Sequence, residues 1–382
     1  MGGVQFSTFY LIQRLENHPK CKIQLLLPRE GQFSNLCDQN SLRYSLYKSR
    51  PMLSSSLSIF NDTIRIPNFF SWIYNIIQIY YNSKSIRSII KDEKNAIILS
   101  KGLSSHFVTL IANRNLSNKL IWHLQDLISH RFGGLLLKLM NFLADVGPDS
   151  IICDGKSIFN SLNISNKSKA TVIVNGVETG LFRRTDKHRE LGRKELSIPD
   201  DAYVIGHVGR FTPWKGQAKL VEAFIEYSKK NKKAVLLLVG APVFDSNNYI
   251  NGVKNQIIKH GLLDKIILTG FRTDLDKMFS IMDLFIYPSL EKDTSPLSLL
   301  SALSSGLPVA ASSIESLREI VEKVPAVSLF NPSNKSDLVF IYQKYEAYNL
   351  RKKTGKLINL DYENHFSMDI HIQKMLEVLN SI

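Results

Sequence analysis

From residue 203 onward, short apolar runs alternate with longer amphipathic stretches. Candidate strands fall at 203–208, 234–240, 265–270, 283–287, 309–312 and 326–330, with helical patterns between them. Connections of that length suit crossover helices rather than hairpins. The rhythm therefore predicts a parallel sheet with helices on both faces.

One stretch of this rhythm, Asp283 to Ser312, carries most of the functional information. Leu284–Tyr287 has the length and composition of a buried strand, ended by Pro288-Ser289. Thr294, Ser295 and Pro296 form a cap and first turn for a helix starting near Leu297. Gly306 stops that helix, and Pro308 leads into a second strand at Val309. In such a βαβ unit the loop lies at the carboxyl end of a strand, where open α/β sheets bind ligands. The helix N-terminus suits a phosphate.

The same stretch resembles the signature of the retaining family 4 glycosyltransferases. That signature reads roughly Pro-Ser, a short gap, Glu-x7-Glu, then Ala-Met-Ala-x-Gly-x-Pro-Val. Here Pro288-Ser289 and Ala302 to Val309 match it. Counting back from Ala302, the two family glutamates fall on Asp293 and Ser301. The resemblance implies an α/β chain of the GT-B fold, with two Rossmann-like doubly wound domains facing a cleft. Residues 1–174 would be the acceptor-side domain and 175–365 the nucleotide-sugar donor domain. Residues 366–382 would form a terminal helix packing back on the first domain. Thr171 to Phe182 resembles the family strand and Asn-Gly-Val turn that lead into the second domain.

Several further residues gain roles from this likeness. The strand at 203–208 runs into Gly209-Arg210, then Lys215-Gly216, which matches the family's Gly-Arg plus Lys-Gly pattern. Arg210 gives a planar fork for phosphate oxygens and Lys215 a compact charge. Together with a helix N-terminus they stabilise a departing diphosphate without a metal. The backbone at Gly270-Phe271 is expected at the nucleobase. Thr294, Ser295 and Leu297 are expected at the donor, and Asp293 at the donor sugar. Ser301 departs from a ribose-gripping glutamate and offers one hydroxyl. Losing a hydrogen bond to a charged group costs roughly 1.5–3 kcal/mol, or about 10- to 150-fold in affinity. Glu319 matches a later family glutamate, although the preceding Gly-Gly is replaced by Ser313 to Ser316. His123 and Asp126 follow a strand at 119–123 and resemble a His-x-x-Asp pair facing the cleft, with His123 a catalytic candidate.

The first half is less regular. Family members usually open with a strand, a Gly-Gly turn and a helix. Here Gly2-Gly3 follows Met1 at once, and Phe6, Phe9, Leu11, Ile12 and Leu15 mark a helix. Gly3 is the candidate for the family's donor-binding turn. The first strand is therefore expected to be missing, leaving a sheet edge exposed and a poorly stable first domain. Strands are expected at 22–28, 96–100, 119–123 and 150–153, with 29–66 irregular. Residues 68–91 are aromatic and then basic. The expected arrangement is a core-packed helix whose Lys and Arg reach the surface. The rival is an amphipathic helix lying on a membrane.

Composition sets the remaining bounds. The 382 residues suffice for two domains. Cys21, Cys37 and Cys153 are widely spaced, so neither a metal site nor a disulfide framework is expected, and a cytoplasmic, reducing location is. No uninterrupted apolar run approaches the ~20 residues of a spanning helix. The net charge is +14, and residues 1–180 hold 20 Lys and Arg against 11 Asp and Glu. That excess suits an anionic partner or the inner face of a membrane, contacted peripherally. Nothing has the spacing of a nucleic-acid module. The expected activity is hexosyl transfer from a UDP- or GDP-type sugar, with no metal, to a glycan or lipid-linked acceptor of surface polysaccharide or lipopolysaccharide. The alternative is a catalytically impaired GT-B homologue acting as a binding or partner subunit, for which Ser301 argues.

Overall fold

The computed structural model describes residues 2–54, 56–59, 64–125, 134–242, 247–291 and 293–382. The chain divides into two compact units, residues 1–174 with 372–382, and residues 175–371.

In the first unit the order is α1 (Gly3–Glu16), β1 (Leu25–Leu27), α2 (Gln32–Gln39), β2 (Tyr44–Leu46), β3 (Ser56–Ile59), β4 (Ile64–Pro67), α3 (Phe69–Ile90), β5 (Ile97–Lys101), α4 (Leu103–Ala112), β6 (Lys119–Leu124), α5 (Leu135–Val146), β7 (Ser150–Cys153), α6 (Lys156–Ser161) and β8 (Ala170–Val172). Strands β5 to β8 form a four-stranded parallel sheet in sequence order. β1 and β2 form a separate parallel pair, and β3 and β4 an antiparallel one. One core cluster joins Trp122, Ile151 and Cys153 to α5 through Met140 and Ala144. A second joins Ile121 and Ile152 to Leu11 and Leu15 of α1, with Met375 and Val378 from the 372–382 stretch. Neighbouring residues of β6 and β7 thus feed opposite clusters, as the period of two requires.

Three expectations for this unit need correction. The strand expected at 22–28 shrinks to the three residues Leu25–Leu27, which pair with β2 and bury fully only at Leu27. Residues 29–66, expected to be irregular, contain α2, β2 and the β3–β4 hairpin. α2 is set by its cap, where Gly31 N–H donates to Ser34 Oγ at 2.9 Å. It is too short to show as periodicity. The third correction concerns α3, expected to pack its apolar face into the core. It does the reverse over about its first four turns. Ser71, Gln78, Asn82 and Ser83 are buried, whereas Phe70 is 86% and Ile76 66% exposed. The cause is polar. Asn82 exchanges hydrogen bonds with the Arg50 backbone at 2.7 and 3.1 Å, and Asn75 with that of Leu53 at 2.8 and 2.9 Å.

The second unit continues with α7 (Asp186–Glu195), β9 (Tyr203–Val208), α8 (Gln217–Lys230), β10 (Ala234–Val239), α9 (Asn247–Lys259), β11 (Ile266–Gly270), α10 (Leu275–Ile281), β12 (Leu284–Tyr287), α11 (Leu297–Ser304), β13 (Val309–Ser312), α12 (Arg318–Lys323), β14 (Ser328–Phe330), α13 (Lys335–Lys344) and α14 (Tyr348–Phe366), and the last helix, α15 (Met368–Asn380), belongs from residue 372 to the first unit. Its six strands are all parallel, in the order β11-β10-β9-β12-β13-β14. Every residue of β9, β10, β12 and β13 is buried, which explains their continuous apolar runs. The order reverses between β9 and β12. At such a switch point two successive crossovers leave on opposite faces and their loops part to open a crevice.

Candidate functional site

The loops after β9 and β12 flank that switch point. After β9, Phe211 is fully buried and acts as an anchor, while Arg210 stays exposed. Gln217 Nε2 donates to the Arg210 carbonyl at 2.8 Å, which fixes the backbone under the guanidinium. Pro213–Lys215 makes one 3-10 turn, and Gly216, at φ 73°, ends it and caps α8. A side chain at 216 would place its Cβ 2.1 Å from the Pro288 carbonyl oxygen. Glycine therefore sets how closely the two loops approach. They are also stitched directly, since Leu290 N–H donates to the Trp214 carbonyl at 2.8 Å.

This packing buries Lys215, which is only 9% exposed. Its ammonium donates to Tyr287 Oη at 2.7 Å and forms an ion pair with Asp293. Tyr287 Oη also donates to the Asp293 carboxylate. Burial first, and then Asp293, hold the Tyr287 hydroxyl far above its ordinary pKa, so it remains a donor. Beneath the cluster lies His207, whose Nδ1 bonds the Ile286 carbonyl at 3.0 Å. Burial pushes its pKa down to about 4.

The loop after β12 is braced from two further sides. Asp293 N–H donates to Ser316 Oγ at 3.0 Å, within the serine-rich stretch that replaces the expected Gly-Gly. Ser295 adopts φ 47°, and its Oγ accepts from Asn175 N–H at 2.6 Å. Thr294 and Leu297 are half-buried at the entrance to α11, and Ser301 is 4% exposed one turn further on. Gly270, at φ 72°, ends β11, and Phe271 beside it is 55% exposed. The fold thus brings Arg210, Lys215, Asp293 and the α11 residues to one strand-end region of the second unit. Gly270 and Phe271 lie two strands away on the same sheet. Glu319 is half-buried in the first turn of α12.

The remaining candidates lie in the first unit. Gly3 is exposed in the first turn of α1. His123, near the end of β6, is fully buried, with Nε2 2.5 Å from Asp154 Oδ1. Gln125 Nε2 donates to Asp154 Oδ2 and to Ser7 Oγ of α1, both at 3.1 Å. Burial opposes the Asp154 charge, but His123, Lys101 and Gln125 outweigh it and hold the carboxyl below its ordinary range. Burial and then Lys101 hold the His123 imidazole below its own, against the pull of Asp154. A neutral His123 donating from Nε2 has a lone pair on Nδ1, and that atom has no hydrogen-bond partner among the described residues. Burial brings Lys101 down to about 8. Asp126 lies outside the described residues.

Sequence reasoning missed Tyr287, Lys101 and Asp154. Lys101 ends β5 and Asp154 directly follows β7, both at apolar runs. A titratable residue at the carboxyl end of a buried strand is a signal that finds them.

Residues 188–353 match the model of a family described as "Glycosyl transferases group 1". The chain is 23% identical over 321 residues to the Escherichia coli UDP-Gal:alpha-D-GlcNAc-diphosphoundecaprenol alpha-1,3-galactosyltransferase, covering 82% of this chain and 77% of that one. It is 24% identical over 173 residues to the lipopolysaccharide core biosynthesis mannosyltransferase LpsB of Rhizobium meliloti, covering 45% and 48%. Among solved structures it resembles Anabaena HepE in complex with UDP-glucose, with a TM-score of 0.83 at 19% identity over 100% of this chain and 97% of that one.

Proposed function

We propose, from the premise that the chain is a group 1 glycosyltransferase of the GT-B fold, that it is a retaining hexosyltransferase using a UDP- or GDP-activated sugar. The acceptor is a glycan or lipid-linked sugar of surface polysaccharide or lipopolysaccharide synthesis. A lipid-linked acceptor is what the name of the Escherichia coli relative describes. The observation that carries the reading is the buried Lys215–Tyr287–Asp293 cluster beside exposed Arg210 at the switch point.

In this reading residues 175–365 form the donor domain and residues 1–174 the acceptor-side domain. The diphosphate lies against Arg210, Lys215 and the N-terminal turn of α11. The bond between the anomeric carbon and the leaving phosphate oxygen breaks, and its electron pair departs with the diphosphate. Two cations and unpaired helix N–H groups stabilise that developing charge. The acceptor hydroxyl attacks from the same face and passes its proton to the departing oxygen. Asp293 accepts hydrogen bonds from the sugar hydroxyls, and Tyr287 and Lys215 keep its carboxylate in place. Ser301 meets the ribose with one hydroxyl, and the backbone at Gly270 and Phe271 meets the base. His123, buried with Asp154 and Gln125, positions the end of its strand in the acceptor-side domain, and Gly3 lines the turn of α1. No metal takes part, and the protein works at the inner face of the cytoplasmic membrane.

The test is transfer or slow hydrolysis of nucleotide sugars by the wild type and by Lys215→Ala. A loss of about 100-fold or more in kcat is expected for a group that meets transition-state charge. Equal rates overturn the assignment. Ser301 favours one second reading, a binding or partner subunit. Nucleotide-induced thermal stabilisation without turnover against any donor would select it.

A further inference from the structure

The apolar stripe that α3 turns outward has no role in the transfer reaction. Phe69, Phe70, Ile73, Ile76, Ile77 and Tyr80 are 65%, 86%, 63%, 66%, 47% and 50% exposed. Their spacing of three to four residues puts them on one helix face. Soluble monomers rarely present so continuous an apolar surface. The helix cannot roll to hide it. Asn75 and Asn82 tie the opposite face to residues 50 and 53. At the far end Ile86 and Ile90 pack with Val108 and Ala112, and Arg87 Nη1 donates to the Ala112 and Arg114 carbonyls at 2.8 and 2.7 Å.

The geometry points to α3 as a membrane-docking helix that lies in the plane of an anionic lipid surface, with this stripe among the acyl chains. Charge complementarity selects the occupant. α3 itself carries the cations Lys84 and Arg87 and no acidic residue, and Arg50 lies against it. Two of these cations sit beside the ring-bearing face. The Arg50 guanidinium lies 3.8 Å over the Tyr81 ring and the Lys84 ammonium 4.6 Å over that of Tyr80. Cations and aromatic rings bordering an aliphatic stripe match the layered chemistry of phosphate headgroups above hydrocarbon. With Ser71, Gln78, Asn82 and Ser83 on its other face, α3 is suited to lie on a bilayer, and among the described residues no helix is long and apolar enough to cross one. This assigns a surface to the membrane contact in the reading above. Its test reads lipid binding rather than transfer, so either can fail alone.

The experiment is flotation of the full-length chain with phosphatidylglycerol-containing vesicles and with pure phosphatidylcholine vesicles. The wild type is expected to float with the anionic vesicles at low salt and to bind neutral ones about tenfold or more weakly. The variant Phe70→Ser/Ile73→Ser/Ile76→Ser is expected to lose about tenfold or more of the anionic binding. Its melting temperature should hold, because all three side chains are exposed. Lys84→Glu is expected to weaken anionic binding only. Failure of the wild type to float with anionic vesicles overturns the proposal, as does wild-type binding by the triple variant. So does a wild-type dimer, seen by sedimentation velocity, that the triple variant splits while neither form floats. That pattern would make the stripe a contact between two copies.

Discussion

Lys215 is neutralised inside the protein before any ligand arrives. Its ammonium faces a carboxylate and a phenol in a largely buried site, where removing one partner leaves the others unsatisfied. Tyr287→Phe should therefore lower unfolding free energy by about 1–3 kcal/mol, read from urea denaturation. If the tyrosine positions Asp293 for the sugar, kcat should fall more than KM rises. A substitution that shifts stability alone would reduce Tyr287 to a packing residue. Ser301→Glu tests the opposite departure. It should strengthen nucleotide binding about 10- to 150-fold, seen as a larger nucleotide-dependent rise in melting temperature. Unchanged binding would place the ribose elsewhere. Asp293 and Ser301 are found by counting back from Ala302 along one motif. Tyr287 is invisible to that count. As the last residue of an all-apolar strand it reads as core, and only the packing of Lys215 against it reveals a polar function.

At the scale of elements, the turn between β9 and α8 depends on one glycine. Gly216→Ala asks a side chain to take φ 73° and to approach the Pro288 carbonyl at 2.1 Å. The left-handed conformation alone costs roughly 1–2 kcal/mol. The clash should also push apart the two loops that hold Lys215 and Asp293. A lower urea midpoint together with weaker nucleotide binding is expected, and a neutral substitution would mean that the loops separate freely. In the second unit β9, β10, β12 and β13 could be read almost residue for residue, since each is buried along its length and bounded by turn residues. In the first unit β1, β2 and β8 are three residues each, too short for a pattern to emerge. The α3 helix shows a different limit. Periodicity reveals the apolar stripe but not which way it faces. That was decided by two asparagines and a distant stretch of backbone.

For the whole molecule, burial of two histidines makes both units sensitive to acid. Burial, reinforced by His123, takes His106 of the first unit down to about 3. Burial also takes His207 of the second down to about 4, against the pull of its Ile286 bond. In the unfolded chain both titrate near the ordinary value of about 6.5. Between these values the unfolded state binds protons that the native state refuses. The stability is thus complete above about pH 6.5 and is lost as pH falls through the window, by about 1.4 kcal/mol per unit for each histidine. Urea midpoints from about pH 7 to about pH 5 should fall accordingly, with a shallower slope in His207→Gln. A flat profile would contradict the burial of these rings as neutral species.

The packing of Met375 and Val378 with Leu11 and Ile121 also has a consequence in time. Residues 1–174 leave the ribosome first, yet their core includes residues 372–382, which follow only after the 197 residues from 175 to 371. At roughly 5–20 residues per second, that delay is about 10–40 s. Over that interval the second unit can close while the first waits with part of its apolar interior uncovered. The order of birth of the two halves is then the reverse of their order of completion.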